Sequence, residues 1–395
     1  MLDAHTIATV KSTLPAIAAL GPELTVHFYQ RMFRHSPELK QLFNMSNQRN
    51  GDQPKALFEA VAAWGSHLDD MAAVAPLVER IAQKHCSVAL EPSQYAIVGE
   101  HLLASIDEML HPGAEALAAW QRAYAALAQI CIDREAAIYQ AQERKTGGWR
   151  GTRPFRIREL TRQSDQILSV TLTPDDGGPL MDYRPGQYVS LWLRDASLAE
   201  RQVVRQYSLT QLPNGRDYRI AVKHEAGGSL SGWLHQQAQP GSEIALTAPA
   251  GEFTLEATPE TPVTLISGGV GLTPLLAMLH DLSARRHPAP VSWWHATDNG
   301  ASQAFADEIA ALGSTLPNFA QQVWFSQPRP QDAGRYTHRG WMALADAHWQ
   351  ETDPRTHYYL CGPVGFMQYV AKQLIAGGVA ETRLHYEVFG PHKVV

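Results

Sequence analysis

The chain is poor in several things. Three cysteines in 395 residues, Cys86, Cys131 and Cys361, are too few and too scattered for a disulfide framework or a thiolate metal cluster, so a reducing compartment is expected. No apolar run approaches the ~18 residues of a membrane helix. The opening Met1-Leu2-Asp3-Ala4-His5 has neither the basic nor the apolar segment of an export signal. A cytoplasmic protein without stable membrane insertion is expected. Neither charge sign dominates: 33 Lys+Arg against 39 Asp+Glu give a net charge of -6, which argues against a nucleic-acid or anionic-membrane surface. Small molecules are the expected partners, nucleic acid is not, and a monomer is expected. Internal repeats and low-complexity tracts are absent.

What is present is length and periodicity. At 395 residues the chain exceeds one ordinary core, which implies two or three domains. From Met1 to about Gln142 the pattern is helical, broken at Gly21-Pro22, Pro37, Gly51 to Pro54, Pro92 and His111-Pro112-Gly113. Val74, Leu77 or Val78, Ile81, His85 and Val88 share one helix face, which turns His85 inward. A lone inward histidine is either a hydrogen-bonded core residue or a ligand, and its own helix leaves both open. Tyr29 shares a face with Val26 and Phe33. Gln53 heads a stripe through Leu57, Val61, Trp64 and Leu68, Tyr95 one through Val98, Leu102, Ile106 and Met109, and Glu135 follows Leu117, Trp120, Tyr124, Leu127 and Cys131. Five polar inward side chains are costly, at roughly 1–3 kcal/mol for each left unpaired, unless they serve one another or a bound group.

These positions, with Phe43-Asn44-Met45-Ser46-Asn47-Gln48-Arg49-Asn50-Gly51-Asp52-Gln53 and Lys84-His85, resemble the globin domain of bacterial flavohemoglobins, and the resemblance continues to the C-terminus. It implies heme b with His85 as the iron ligand and Phe43, Leu57 and Lys84 lining the heme. Tyr29 and Gln53 are then the distal pair, and Tyr95 and Glu135 stand behind the proximal histidine. It also admits a lipid in the distal pocket.

A polar, glycine-rich stretch at residues 145–152 marks a joint. Short strands follow at Phe155–Leu160, Ile167–Leu172, Tyr188–Leu193, Tyr218–Lys223 and Glu243–Leu246, as in a small antiparallel barrel. Within them, Tyr183-Arg184-Pro185-Gly186-Gln187-Tyr188 and Arg205-Gln206-Tyr207-Ser208-Leu209-Thr210 resemble the flavin signatures of the ferredoxin–NADP reductase superfamily. Tyr207 is the expected stacking ring with Tyr188 beside it, Ser208 the hydroxyl at the reactive edge, and Arg205, with Gln206 next to it, the partner of pyrophosphate. Gly227-Gly228-Ser229 reads as a turn into a helix N-terminus, with N–H groups for phosphate or simply a turn.

Apolar strands then alternate with helices at Val263–Ser267, Val291–His295, Val323–Phe325 and His357–Leu360, a parallel α/β pattern. The first strand runs into Gly268-Gly269-Val270-Gly271-Leu272-Thr273-Pro274, a turn that lets backbone approach pyrophosphate. The reductase resemblance extends to this turn, to Cys361-Gly362-Pro363 on the nicotinamide side, and to the C-terminal Glu387-Val388-Phe389-Gly390-Pro391. There Phe389 shields the flavin and Glu387 bears on the electron path to heme. Asp298 is placed to face an adenosine ribose, which leans toward NADH over NADPH.

The expected architecture is thus an all-α globin domain at 1–145, an FAD-binding antiparallel β-barrel at 152–257 and an NAD(P)-binding α/β domain at 258–395. The resemblance implies a nitric oxide dioxygenase: NAD(P)H reduces FAD, FAD passes single electrons to heme, and O2 and NO leave as nitrate. The alternatives are a heme and flavin peroxide reductase acting on lipid hydroperoxides, and an oxygen or NO sensor whose reductase only maintains ferrous heme.

Overall fold

The computed structural model describes residues 2–43, 48, 50–196, 198, 202–347, 349 and 353–390. Asn44–Asn47 and Arg49 of the first motif and Pro391 of the last lie outside them. Two compact units divide the chain, Met1–Thr152 with Arg194–Arg205, and Arg153–Leu193 with Gln206–Val395.

The first unit is built from helices α1 (Ala4–Leu20), α2 (Glu23–His35), α3 (Asp52–Ser66), α4 (Met71–Ser87), α5 (Pro92–Leu110) and α6 (Ala114–Glu143). Their starts carry the caps that local chemistry demands. The Asp3 carboxylate accepts from Thr6 N–H at 2.8 Å and Asp70 from Ala73 N–H at 3.1 Å. Pro92 opens α5 behind a Glu91/Gln94 capping box. One core gathers Leu24, Phe28, Tyr29, Met32, Trp64, Leu102 and Trp120.

Two expected stripes are rotated by about one residue. Val26 is exposed, and the buried face of α2 is Leu24, Thr25, Phe28, Tyr29, Met32 and Phe33. On α4 the buried line is Val74, Val78, Ala82 and Cys86, while the His85 side chain is 32% exposed. The cause is packing on α6. Ala82 and Cys86 form a small apolar cluster with Ile138 and Tyr139, and the Cys86 thiol donates to Glu135 O at 3.8 Å. His85 therefore stands at the edge of the buried line.

Two six-stranded sheets follow, in the second unit except for Thr152, Arg194 and Gln202–Arg205, which group with the first unit. In the first sheet, β1 (Thr152–Arg162), β2 (Ile167–Pro174), β3 (Tyr188–Arg194), β4 (Gln202–Ser208), β5 (Tyr218–Lys223) and β6 (Glu243–Thr247) lie in the order β4-β3-β6-β1-β2-β5. Its registered pairs are antiparallel. Helix α7 (Ser229–Gln236) follows β5, with Gly228 of the expected glycine turn at its N-cap.

The other sheet is parallel. It holds β7 (Val263–Gly268), β8 (Val291–Thr297), β9 (Phe319–Phe325), β10 (His338–Arg339), β11 (His357–Cys361) and β12 (Leu384–Glu387) in the order β10-β9-β8-β7-β11-β12. Alternation along the strands feeds two cores. Leu265 and Trp293 pack with α8 (Leu272–Ala284) and α9 (Ala306–Gly313), and Ile266 and Trp294 with α10 (Val364–Ala376). A sheet covered on both faces needs continuous apolar strands, which β7 has: all six of its residues are buried.

Candidate functional site

Three helices bring together residues far apart in sequence. His85 on α4, Tyr95 in the first turn of α5 and Glu135 on α6 meet around one oxygen. His85 Nδ1 is 2.8 Å from Glu135 Oε1 and 2.8 Å from the Tyr95 hydroxyl, which itself makes a short hydrogen bond to the same Oε1. A carboxylate only accepts, so His85 Nδ1–H and Tyr95 O–H both donate to it. Glu135 is only 3% exposed, and both donors satisfy a group whose burial would otherwise be costly. Burial, with Cys131 and Glu135 close by, pushes the Tyr95 phenol well above its ordinary range, which keeps it a donor. Sequence reasoning placed Tyr124 only in the core, yet its hydroxyl donates to Tyr95 O at 2.7 Å and fixes that turn of α5.

Tyr29 on α2 and Gln53 in the first turn of α3 also meet, with Gln53 Nε2 donating to the Tyr29 hydroxyl at 3.2 Å. Burial pushes the Tyr29 phenol up to about 12. Phe43 stands edge-on to Tyr29, ring centroids 5.6 Å apart, and to Phe33 at 5.4 Å, so Phe33, which the sequence pattern places only beside Tyr29, also packs on Phe43. Leu57 lies one turn beyond Gln53, half-buried against the same core. Lys84 precedes His85 and is half-buried, and its carbonyl accepts from Ser87 Oγ at 2.7 Å. Among the described residues no group of three or more His, Cys, Asp or Glu could hold a bare metal ion. A metal at His85 therefore needs a bound group to supply its other ligands.

In the second unit, the first flavin motif is a tight corner. Gly186 has φ +105, and a Cβ there would meet Phe253 O at 2.2 Å, so only glycine fits. The Tyr183 hydroxyl donates to Gln211 O at 2.6 Å, and Leu209 N–H donates to Gln187 O at 3.0 Å, which sets the end of β4 beside the start of β3. Tyr188 on β3 and Ser208 at the end of β4 are buried, and Gln206 and Tyr207 are half-buried. Arg205, also on β4, turns Nη1 onto Val204 O at 2.7 Å.

The parallel sheet reverses its order between β7 and β11, and ligands of open α/β sheets bind at the carboxyl ends of strands where that happens. Gly268 to Gly271 end β7, Cys361 to Pro363 end β11, and Cys361 pairs with Ser267. The two turns touch backbone to backbone: a Cβ on Gly271 would meet Cys361 O at 2.3 Å. Leu272 and Thr273 begin α8, and Thr273 Oγ1 donates to Val270 O at 3.0 Å. Glu387 ends β12 opposite Cys361, Val388 is buried, Phe389 is 47% exposed, and Gly390 is half-buried. Asp298 lies just past β8 and accepts from Ser326 Oγ at 3.0 Å.

Residues 26–131 match the globin family, 155–255 the oxidoreductase FAD-binding domain and 265–372 the oxidoreductase NAD-binding domain. A flavohemoglobin from Malassezia yamatoensis with bound FAD and heme is 26% identical, with 98% of this chain and 100% of that one covered and a TM-score of 0.87. The FAD/NAD-binding part of a nitric oxide dioxygenase from Vibrio cholerae O1 biovar El Tor is 40% identical over 60% of this chain and 99% of its own, TM-score 0.55. The cytochrome b5 reductase domain of Ulva prolifera nitrate reductase, at 18% identity, 60% and 97% coverage and TM-score 0.53, shares the reductase fold. No helix among the described residues is long and apolar enough to cross a membrane. A globin region followed by FAD- and NAD-binding reductase regions, with this likeness to the Vibrio reductase, shows that the chain belongs to the flavohemoglobin-type proteins.

Proposed function

We propose that the chain is a nitric oxide dioxygenase that draws electrons from NAD(P)H through FAD to a heme at His85 and turns nitric oxide and oxygen into nitrate. The observation that carries this reading is the buried Glu135 Oε1, which receives both His85 Nδ1–H and Tyr95 O–H. When bound, FAD converts a hydride into single electrons, and heme supplies an iron that takes them one at a time and meets oxygen and nitric oxide.

The chain's own residues prepare each side. Glu135 holds the proton on His85 Nδ1, which leaves Nε2 with its lone pair toward iron and makes the imidazole more electron-rich. An axial ligand that pushes electron density toward iron favours activating bound oxygen over merely holding it. Tyr29 accepts from Gln53 and keeps its own proton to donate to a ligand oxygen that gains negative charge. With heme bound, Phe43 and Leu57 would exclude water from it and Lys84 would line it. Tyr188, Arg205, Gln206, Tyr207 and Ser208 hold FAD. Gly268–Thr273 and Cys361–Pro363 hold the nicotinamide dinucleotide, Glu387 to Gly390 close the flavin side, and Asp298 on the ribose favours NADH. These roles map onto the divisions 1–145, 152–257 and 258–395. The bound FAD and heme of the Malassezia relative and the name of the Vibrio relative support the reading.

Aerobic NADH consumption by heme- and flavin-loaded protein, with and without nitric oxide, tests it. Nitric oxide is expected to speed consumption and to appear as nitrate; consumption indifferent to nitric oxide contradicts the reading. The same carboxylate suits the cleavage of peroxides, the second reading, and a lipid hydroperoxide that outcompetes nitric oxide for electrons would favour it.

A further inference from the structure

Arg219, Glu308 and His280 form a charged cluster outside the binding motifs. Arg219 stands on β5, the edge strand of the antiparallel sheet, Glu308 in the first turn of α9, and His280 on α8, the helix that begins at the Gly268–Gly271 turn. Arg219 grips the carboxylate with both ends, Nη2 to Oε1 at 2.6 Å and Nη1 to Oε2 at 3.1 Å. His280 Nε2 is 2.6 Å from the same Oε1, and since a carboxylate only accepts, that nitrogen carries the proton and donates.

The other edge of Arg219 holds Thr210. Nε donates to Thr210 Oγ1 at 2.9 Å and Nη2 to Thr210 O at 2.8 Å, while Thr210 N–H and Oγ1 donate back to Arg219 O at 2.9 and 3.1 Å. Thr210 lies two residues past Ser208. A continuous polar chain therefore runs from the flavin motif, through Arg219 and Glu308, to the helix that starts on the dinucleotide turn.

Two features set this cluster apart from a surface ion pair. Its side chains are largely withdrawn from water, at 18% exposure for Arg219, 26% for Glu308 and 21% for His280, where screening is weak. Phe305, just before α9, is a buried aromatic at φ +57 with the Arg219 guanidinium 5.4 Å over its ring. A bulky residue in the left-handed region is uncommon and is held there by its surroundings.

We propose that Arg219, Glu308 and His280 are positioning residues for hydride transfer, a clasp that holds the nicotinamide-binding half of the reductase against its flavin-binding half. The proposal rests on the reading of Ser208 as a flavin residue and Gly268–Thr273 as dinucleotide residues. The clasp acts through the backbone of Thr210 and the axis of α8. Hydride transfer depends steeply on the separation of donor and acceptor, so a small relaxation between the halves costs rate more than affinity.

The test uses the full chain loaded with FAD and compares wild type, Glu308→Gln, His280→Gln and the exchanged pair Arg219→Glu with Glu308→Arg. Stopped-flow reduction of the flavin by NADH separates limiting rate from dissociation constant, and hydrogen exchange reads the amides of β5 and α9. Glu308→Gln is expected to lower the limiting rate about tenfold, with the dissociation constant for NADH changed less than twofold and faster exchange in β5 and α9. His280→Gln keeps a donor and shows a smaller loss; the exchanged pair recovers part of the rate. Normal reduction of wild type with an unchanged limiting rate in Glu308→Gln overturns the proposal alone, even if exchange quickens, because the cluster is then structural. A wild-type flavin that NADH does not reduce overturns both the proposal and the reading beneath it.

Discussion

His85 Nδ1 and Glu135 Oε1 lie 2.8 Å apart across 50 residues of sequence, and Tyr95 donates to the same oxygen. Glu135→Gln keeps the shape and removes the anion. On the proposed function, the variant retains heme, its heme reduction potential rises, and nitric-oxide-stimulated NADH consumption falls by about tenfold or more, as expected for a charge-assisted bond to an axial ligand. Spectroelectrochemistry alongside turnover checks this; loss of heme in step with activity would make Glu135 a structural residue.

His85→Ala removes the one nitrogen assigned to iron. The purified variant is expected to lack the Soret band while flavin absorbance persists, because the flavin residues belong to other elements. Normal heme content in that variant refutes the assignment.

Tyr29→Phe deletes the buried hydroxyl but keeps the ring against Phe33 and Phe43. A hydrogen bond to a partly negative oxygen contributes ~1.5–3 kcal/mol, so oxygen dissociation is expected to quicken by roughly ten- to a hundredfold. Flash photolysis measures it, and an unchanged off-rate takes Tyr29 out of the distal site.

Glu308 gives a pH signature. Burial raises its carboxyl, but the bonds from His280 and Arg219 and their charges outweigh burial and bring it from its ordinary 4.5 to about 2. A carboxyl depressed on folding stabilises the fold at pH above its unfolded value, and that contribution fades as pH falls through the folded value. The stability gap between wild type and Glu308→Gln is therefore expected to be full above pH 4.5, on the order of a few kcal/mol, and to close toward pH 2. Denaturant titrations at several pH values read it; a gap that does not change with pH contradicts the assignment.

Gly271→Ala places a methyl against Cys361 O, where only backbone could yield. The variant is expected to lose roughly 1–3 kcal/mol of stability and to bind NADH more weakly, measured by flavin reduction across NADH concentrations. Wild-type affinity would show that the two turns do not form the dinucleotide site.

The helices were readable because helical periodicity is a local signal, and polar intrusions in apolar stripes marked Tyr95 and Glu135 one by one; that they meet at His85 was implied by the family resemblance, since no stripe relates one helix to another. The rotation of α4 was not readable. His85 and Cys86 are adjacent, and which one enters the apolar line was decided by Ile138 and Tyr139 on another helix. Strand β4 carries no alternation: Val203 and Val204 are buried side by side and Arg205, Gln206 and Tyr207 are all half-buried, so no period of two marks it as a strand. β12 is a short edge strand, and all four of its residues are half-buried, so it shows no alternation. The Arg219–Glu308 pair spans 89 residues and joins a strand to a helix that no periodicity relates. Only the folded chain reveals it.

Anaerobic addition of NADH to the purified, ferric, flavin-loaded protein, followed across the visible spectrum, tests the proposed electron path most directly. The account predicts that the flavin bands bleach and the heme bands then move to the ferrous form, and that neither heme band nor heme reduction appears in His85→Ala. A flavin that bleaches while wild-type heme stays ferric would contradict it.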